Sequence, residues 1–327
     1  MVIYVGAKDG VWSMERLTRV LCVVVPIFTA VLLGIVARKR KLMSDEQMSG
    51  LQQFVLKFGL PCVLFGSCFT ANISPDTVSV MLMVIFVDLT GAIWALKARK
   101  RKYPYHNLPM MFCAKETGML GIPLFIALFG AANTYHIGVL DVAQAFVAFP
   151  MIAYLSADTG EELSAGGVLL NVLRSPLLIM SALGLILNVS GLADMLEESG
   201  WRAVISETAG FIAQPVSASM LFSVGYNFSV SRDNRAVIFR LSAMNIALYS
   251  ALCALMQGLM LLMGGVSPLT RWAVLLFCVL CPSFLTISLG KTEEERTIAS
   301  GVCSILTLFT LAVFCVMTVM VSGSLLT

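Results

Sequence analysis

The sequence is short of charge. Lys, Arg, Asp and Glu together make up 13% of its 327 residues, about half the share that a soluble domain carries. So little polar surface cannot cover a globule in water, and a soluble domain is excluded. Histidine is scarcer still, with His106 and His136 alone. The two are expected near opposite membrane faces and cannot meet, which argues against an intramembrane enzyme, its metal cluster or its general base. A basic face interleaved with aromatics is also missing, so nucleic acid is not an expected partner. No cleavable leader is evident, because strong positive charge follows the first apolar block instead of preceding it. Cysteine is present nine times, almost wholly inside apolar blocks, as at Cys22, Cys62, Cys113 and Cys303. There it behaves as a small hydrophobe, and no disulfide framework is expected. Cys278 and Cys281 form a C-x-x-C with no second cysteine pair or histidine nearby, which reads as packing. No catalytic residue, cofactor or metal site is expected.

What the chain has is apolar length. Hydrophobic residues make up 58% and the mean hydropathy is +0.88. They come in blocks of about 20, the length a helix needs to span roughly 30 Å of hydrocarbon. The blocks do not alternate apolar with polar, as barrel strands do. The expected fold is an all-α polytopic membrane protein with ten spans, near 18–37, 48–69, 77–97, 107–129, 135–155, 172–190, 203–228, 236–264, 269–290 and 297–325. Residues 1–16 read as a tail, 17–155 as one five-helix unit, 156–171 as a linker with an amphipathic stub at 161–171, and 172–327 as a second unit. Met14 is an alternative start, which would make residues 1–13 an extension.

Orientation follows the Lys/Arg bias of short loops. Arg38, Lys39, Arg40 and Lys41 follow the first span, and Lys97, Arg99, Lys100, Arg101 and Lys102 follow the third. Arg232 and Arg235 follow the seventh, and Lys291 and Arg296 the ninth. The loop after the sixth is acidic, with Asp194, Glu197 and Glu198. Exits of odd-numbered spans are thus basic, except after the fifth, where Arg174 faces Asp158, Glu161 and Glu162. Both termini are expected outside a cell membrane, with the 156–171 linker in the cytoplasm.

The two halves look alike. Pro26 and Gly34 in the first span match Pro176 and Gly184 in the sixth. Pro61 after Phe58 matches Pro215 after Phe211, and Pro123 after Gly121 matches Pro282 after Cys281. An odd number of spans per copy turns the second copy upside down. Inverted repeats with matched broken helices are an architecture of secondary transporters, with the solute site at the repeat interface near the midplane. Gly118, Gly121 and Pro123 weaken the fourth span, and Pro282 with Ser283 breaks the ninth.

Charges inside apolar spans are costly and are usually functional. Lys57, Asp88, Lys115, Glu116, Asp141 and Glu207 are the candidates. Asp88 is mid-span, with Asn245 as its rough counterpart in the second half. Asp141 and Gln144 lie three apart, on one helix face. For Asp88 and Asp141 a polar cavity and interhelical hydrogen bonding are the alternatives. Glu207 reads as an interfacial carboxylate, and Lys57 as either a snorkelling or a paired amine. Lys115 and Glu116 are adjacent and cannot share a helix face, so each is expected to meet a different partner. Glu116, beside the Gly118 break, is the candidate proton- or solute-linked carboxylate.

Several of these residues resemble the auxin efflux carrier family, whose bacterial members include malate and malonate carriers. The resemblance runs from about residue 17 to the C-terminus. It rests on Pro26 to Gly34 with the basic loop after it, on Phe58-Gly-Leu-Pro61-Cys-Val-Leu-Phe65, and on Thr117-Gly-Met-Leu-Gly-Ile-Pro-Leu124 followed by Phe129-Gly130. It rests also on Asp141-x-x-Gln144 and on Ala299-Ser-Gly-Val-Cys-Ser-Ile-Leu-Thr307. It implies a scaffold of spans 1, 2, 6 and 7, a mobile unit of spans 3–5 and 8–10, and elevator-like movement around spans 4 and 9 crossing at their prolines. The implied solute is a small organic anion such as a mono- or dicarboxylate. Binding is assigned to Glu116, Thr117, Gly118, Gly121, Pro123, Asp141, Gln144, Asn245, Pro282 and Ser283, and ion coupling to Asp88, Lys115 and Glu116. H⁺ and Na⁺ are both open as the coupling ion, and a homodimer is open as the assembly. In two places the sequence departs from the family: Glu116 stands where Asn is usual, and Gln144 where Asn is frequent. An acidic group there repels a carboxylate solute unless it is protonated or paired with Lys115, which favours proton coupling or a different solute. A channel or a membrane sensor is the competing reading.

Overall fold

The computed structural model describes residues 14–70, 76–157, 174, 176–192, 195, 196, 200–228 and 234–324. Residues 1–13 and the 161–171 stub lie outside this set. Among the described residues every regular element is helical. In chain order they are α1 (Met14–Lys39), α2 (Asp45–Phe54), α3 (Leu60–Phe69), α4 (Asp76–Arg101), α5 (Leu108–Met111), α6 (Ile122–Phe129) and α7 (Tyr135–Ala157). They continue as α8 (Pro176–Val189), α9 (Trp201–Asn227), α10 (Arg235–Met263), α11 (Pro268–Val279), α12 (Leu285–Ser288) and α13 (Glu293–Ser324). A π-helical turn, Val55–Gly59, joins α2 to α3 without a break, and a second, Thr117–Gly121, leads into α6.

Six stretches are long and apolar enough to cross a membrane: Val20–Lys39, Asp45–Phe69, Thr77–Arg101, Tyr135–Ile152, Arg235–Met263 and Glu293–Val321. Shorter apolar helices cover Thr117–Phe129, Ile179–Val189 and Pro268–Val279. Helix α9 is long enough at 27 residues, but Glu207, Gln214, Ser217, Ser219 and Ser223 make it more polar. The burial pattern is that of a protein in lipid. On α10 the buried residues Ile238, Leu241, Asn245, Tyr249, Leu252, Met256 and Met260 recur every three or four positions, as one helical face requires. The other faces of the bundle leave Leu32, Leu33, Phe58, Leu82, Phe86, Phe211 and Leu262 exposed, more large apolar side chains than a surface in water ordinarily carries.

Two helix crossings are built alike. At α1–α9, Gly34 lies against main-chain atoms of Phe222 and Tyr226, and Gly225 against Val31. Four residues after Gly34, Arg38 Nη1 donates to Tyr226 O at 3.1 Å. At α3–α8, Gly184 lies against main-chain atoms of Phe65 and Phe69. Four residues after Gly184, Asn188 Nδ2 donates to Cys68 O and Phe69 O at 3.0 Å each. A glycine on each crossing lets backbone meet backbone, which lipid-embedded helices use because burial of apolar area gives them no driving force.

The polar loops are closed by ordinary capping chemistry. Ser44 and Gln47 form a capping box at the start of α2, which satisfies two of the helix's orphan N–H groups. At the start of α13, the Glu295 carboxylate accepts from the main-chain N–H of Lys291 at 2.7 Å and of His106 at 2.7 Å. Asn107, beside His106, donates to Thr286 O at 3.0 Å. These contacts tie the loop before α5 to the loop before α13.

Candidate functional site

Between α5 and the Thr117–Gly121 turn the chain unwinds, and it does so again between α11 and α12. The two unwound stretches cross as a short antiparallel bridge between Lys115 and Pro282. Glu116 N donates to Cys281 O at 2.9 Å, and Ser283 N donates to Ala114 O at 3.0 Å. In this pattern neither residue of the bridged pair donates to the other, so Pro282, with no N–H, fits where most positions of a ladder would reject it. The matching N–H of Lys115 is thereby free to turn the other way, and Gln144 on α7 receives it. Gln144 Oε1 accepts from Lys115 N at 2.8 Å and its Nε2 donates to Lys115 O at 3.1 Å. The side-chain amide thus takes the place of a third strand. Nε2 also reaches Thr117 Oγ1 at 3.0 Å and Asp141 Oδ1 at 2.8 Å.

The unwinding lies upstream of the position read from Gly121 and Pro123. Pro123 sits in the first turn of α6, where no intrahelical N–H is required and proline is tolerated. Gly121 is needed for closeness: a Cβ there would come within 2.7 Å of Leu280 Cδ1. Gly118 has more room, with Leu60 Cδ2 at 3.6 Å from an added Cβ. The crossing therefore pairs Pro282 with Lys115, not with Pro123.

Lys115 and Glu116 do meet different partners. Lys115 Nζ points to one side of the crossing, donating to Asn245 Oδ1 at 2.9 Å and Leu280 O at 3.1 Å, and lies 3.3 Å from the centroid of the Tyr249 ring. Two oxygens and an aromatic face account for its three N–H bonds. Asn245 Nδ2 in turn donates to Met111 O at 2.9 Å. The Tyr249 hydroxyl has one proton to share between Phe112 O at 2.8 Å and Asp88 Oδ1 at 3.2 Å. Asp88 is fully buried and its second oxygen has no partner among the described residues. Glu116, by contrast, turns to the start of each half-helix: it accepts from Phe284 N at 2.7 Å and from Met119 N at 3.3 Å.

On the Glu116 side lies a cavity of about 920 Å³. Glu116, Asp141, Gln144, Gly118 and Ser283 line it, with Arg38, Asn227 and Arg296 from the ends of α1, α9 and α13. Of the residues singled out by sequence, Lys115, Glu116, Gly118, Asp141, Gln144 and Ser283 thus converge here. Thr117, Gly121 and Pro282 support the crossing from within, and Asp88 and Asn245 sit beyond it with the Lys115 amine. Lys57 is exposed and bonded to Gln53 Oε1 at 3.2 Å, and Glu207 is exposed. Sequence reading missed Tyr249, four residues after Asn245 and so on the same face of α10; that spacing was the available signal. The nine cysteines are free thiols, and among the described residues no group of three His, Cys, Asp or Glu is placed to hold a metal ion.

Comparison with known proteins bears on what this cavity serves. Residues 19–166 match the family described as "Membrane transport protein". Auxin efflux carrier component 3 of Arabidopsis thaliana is 26% identical over 161 residues, covering 46% of this chain and 24% of that protein. The chain thus matches about a quarter of the plant protein's length. An uncharacterized transporter of Methanothermobacter thermautotrophicus is 25% identical over 249 residues, covering 64% of this chain and 81% of that protein. These relatives are transporters and not enzymes. In its first half the chain is thus similar to membrane transport proteins, an auxin efflux carrier component among them, and its apolar helices are long enough to cross a membrane.

Proposed function

We propose that the chain is a secondary active carrier that moves a small organic anion, a mono- or dicarboxylate, across the cell membrane with a coupled proton. The observation that carries this reading is the floor of the 920 Å³ cavity, where two unwound stretches cross beside Glu116, Asp141 and Gln144. Irregular backbone at membrane depth persists only where protein or water covers it, and carriers place their solute at such interruptions. Arg38 and Arg296 on the same wall favour an acid as solute. Glu116 and Asp141 are the groups to which a coupled proton would bind; a sodium ion is the alternative. A channel would want a continuous polar path, whereas here the cavity ends on the crossed main chain at its floor.

The like-built crossings support a repeat of five plus five spans, the second inverted. In that arrangement α1 pairs with α9 as α8 pairs with α3, Gly34 corresponds to Gly184 and Arg38 to Asn188. Helices α1, α2–α3, α8 and α9 form the scaffold, and α4–α7 with α10–α13 form the unit that moves, elevator-like, carrying the crossing with it. With the basic loops in the cytoplasm, the cavity opens inward and both termini lie outside. The test is uptake into proteoliposomes of labelled organic acids with and without imposed pH and sodium gradients. Accumulation that collapses with the pH gradient supports the reading. Absence of flux for every acid, from protein shown to be folded, rejects it.

A further inference from the structure

The cavity is charged in two layers. Its deep end carries Glu116, which is 7% exposed, and half-buried Asp141, while its mouth carries the exposed Arg38 and Arg296. Carboxylates gathered on one largely buried surface are ordinarily matched by a cation. The nearest amine in sequence, Lys115, is not that cation, because Asn245, Leu280 O and the Tyr249 ring hold it on the other side of the crossing. Among the described residues the bonded partners of Glu116 are two main-chain N–H groups and the Ser283 hydroxyl, and those of Asp141 are the Gln144 amide and the Thr117 hydroxyl, all of them uncharged. No ammonium, guanidinium or imidazole bonds either one. Both arginines are held at the rim, Arg38 by Tyr226 O and Arg296 by Gly290 O and Glu293.

We propose that the solute itself brings the missing positive charge: it is a small organic acid that also carries an amine. Its ammonium group sits at Glu116 and Asp141, and its carboxylate faces Arg38 and Arg296. This rests on the carrier reading and replaces its organic anion with an amine-bearing acid. A dicarboxylate without an amine would set a second negative charge against an acidic floor, whereas a zwitterion matches both layers. The same placement sets the form of coupling. An ammonium and a proton are alternative partners for one pair of carboxylates. When solute binds to the protonated pair, the carboxyl O–H bond breaks, its proton passes to cavity water, and an N–H to carboxylate hydrogen bond forms. Solute and proton therefore exchange. The other titratable or charged groups near Glu116 are Asp141 on α7, Lys115, Cys281 after α11, Cys303 on α13, and the two rim arginines. Of these, Asp141 shares the cavity floor and is replaced alongside Glu116 in the test.

The test is counterflow in proteoliposomes at equal pH on both sides, which needs no gradient and avoids passive trapping of amines. Matched pairs are compared: alanine with propionate, γ-aminobutyrate with butyrate, glutamate with glutarate. The expected result is counterflow of an amine-bearing member at least tenfold above its amine-free partner, with apparent affinity falling as the pH is lowered. Glu116→Gln and Asp141→Asn each reduce that preference and flatten its pH dependence. Equal or better counterflow of the amine-free acids overturns the inference and leaves the carrier reading intact. Counterflow of neither member, from folded wild-type protein, removes both. An amine preference unchanged in both variants also overturns it, since the ammonium would then be held elsewhere.

Discussion

Replacing Gln144 with leucine removes the clamp on the unwound stretch while nearly conserving volume. The Lys115 N–H, bonded at 2.8 Å, then loses its partner, while the C=O loses the amide at 3.1 Å but keeps the Thr117 N–H at 2.9 Å. Lys115 is 2% exposed. A buried main-chain group left unpaired costs about 1–3 kcal/mol, which brackets the loss for this one group. Two considerations place the value near the lower end. Water from the cavity reaches the Gln144 position, and side-chain hydrogen bonds inside membrane proteins have been worth about 0.6 kcal/mol on average and about 1.7 at most. The expected loss is therefore about 1 kcal/mol. At the roughly 2–4 °C per kcal/mol of medium-sized domains, this is a fall of about 2–4 °C in apparent melting midpoint. The assay is fluorescence-monitored thermal denaturation in detergent, read as a shift in midpoint because a polytopic protein need not unfold in two states. Gln144→Asn keeps the chemistry but is one methylene short, so it reaches one of the two groups and falls between. A midpoint for Gln144→Leu within about 1 °C of the parent would refute the clamp.

Two further outcomes test the packing and the buried charge. Gly34→Ala and Gly225→Ala each drive a Cβ into main-chain atoms of the partner helix and are expected to destabilise by about 1–3 kcal/mol; Gly258→Ala, which meets nothing within 4 Å, is expected to be neutral or stabilising by up to about 1 kcal/mol. The same melting assay ranks them, and equal midpoints would count against backbone-to-backbone packing at α1–α9. Asp88→Asn keeps an acceptor for the Tyr249 hydroxyl and removes a charge whose second oxygen is unpartnered. Its midpoint is expected to hold or rise, so that any loss of flux reports a use for the charge; a large fall would show that the fold itself requires the carboxylate.

Much of this protein is legible from sequence because lipid imposes simple rules. Low charge and apolar blocks of helical length specify helices that cross a membrane, since no other open arrangement satisfies the backbone there. Gly121 with Pro123 and Cys281 with Pro282 pointed to two interrupted helical stretches. Adjacency alone showed that Lys115 and Glu116 would part, because neighbours on a chain cannot share a helix face. The location of the break was beyond sequence: Gly121 and Pro123 mark a flexible region, but proline is comfortable in a first helical turn, and what unwinds residues 112–116 is pairing with Cys281 and Ser283, more than 150 positions away. The same holds for the partners of the charges. That Lys115 is taken by Asn245, Leu280 O and the Tyr249 ring, leaving Glu116 and Asp141 at the cavity with no cation, depends on where α7, α10 and α11 pack. Hydrogen-bond geometry of a few ångströms is decided by tertiary contacts, and no local pattern in the chain encodes it.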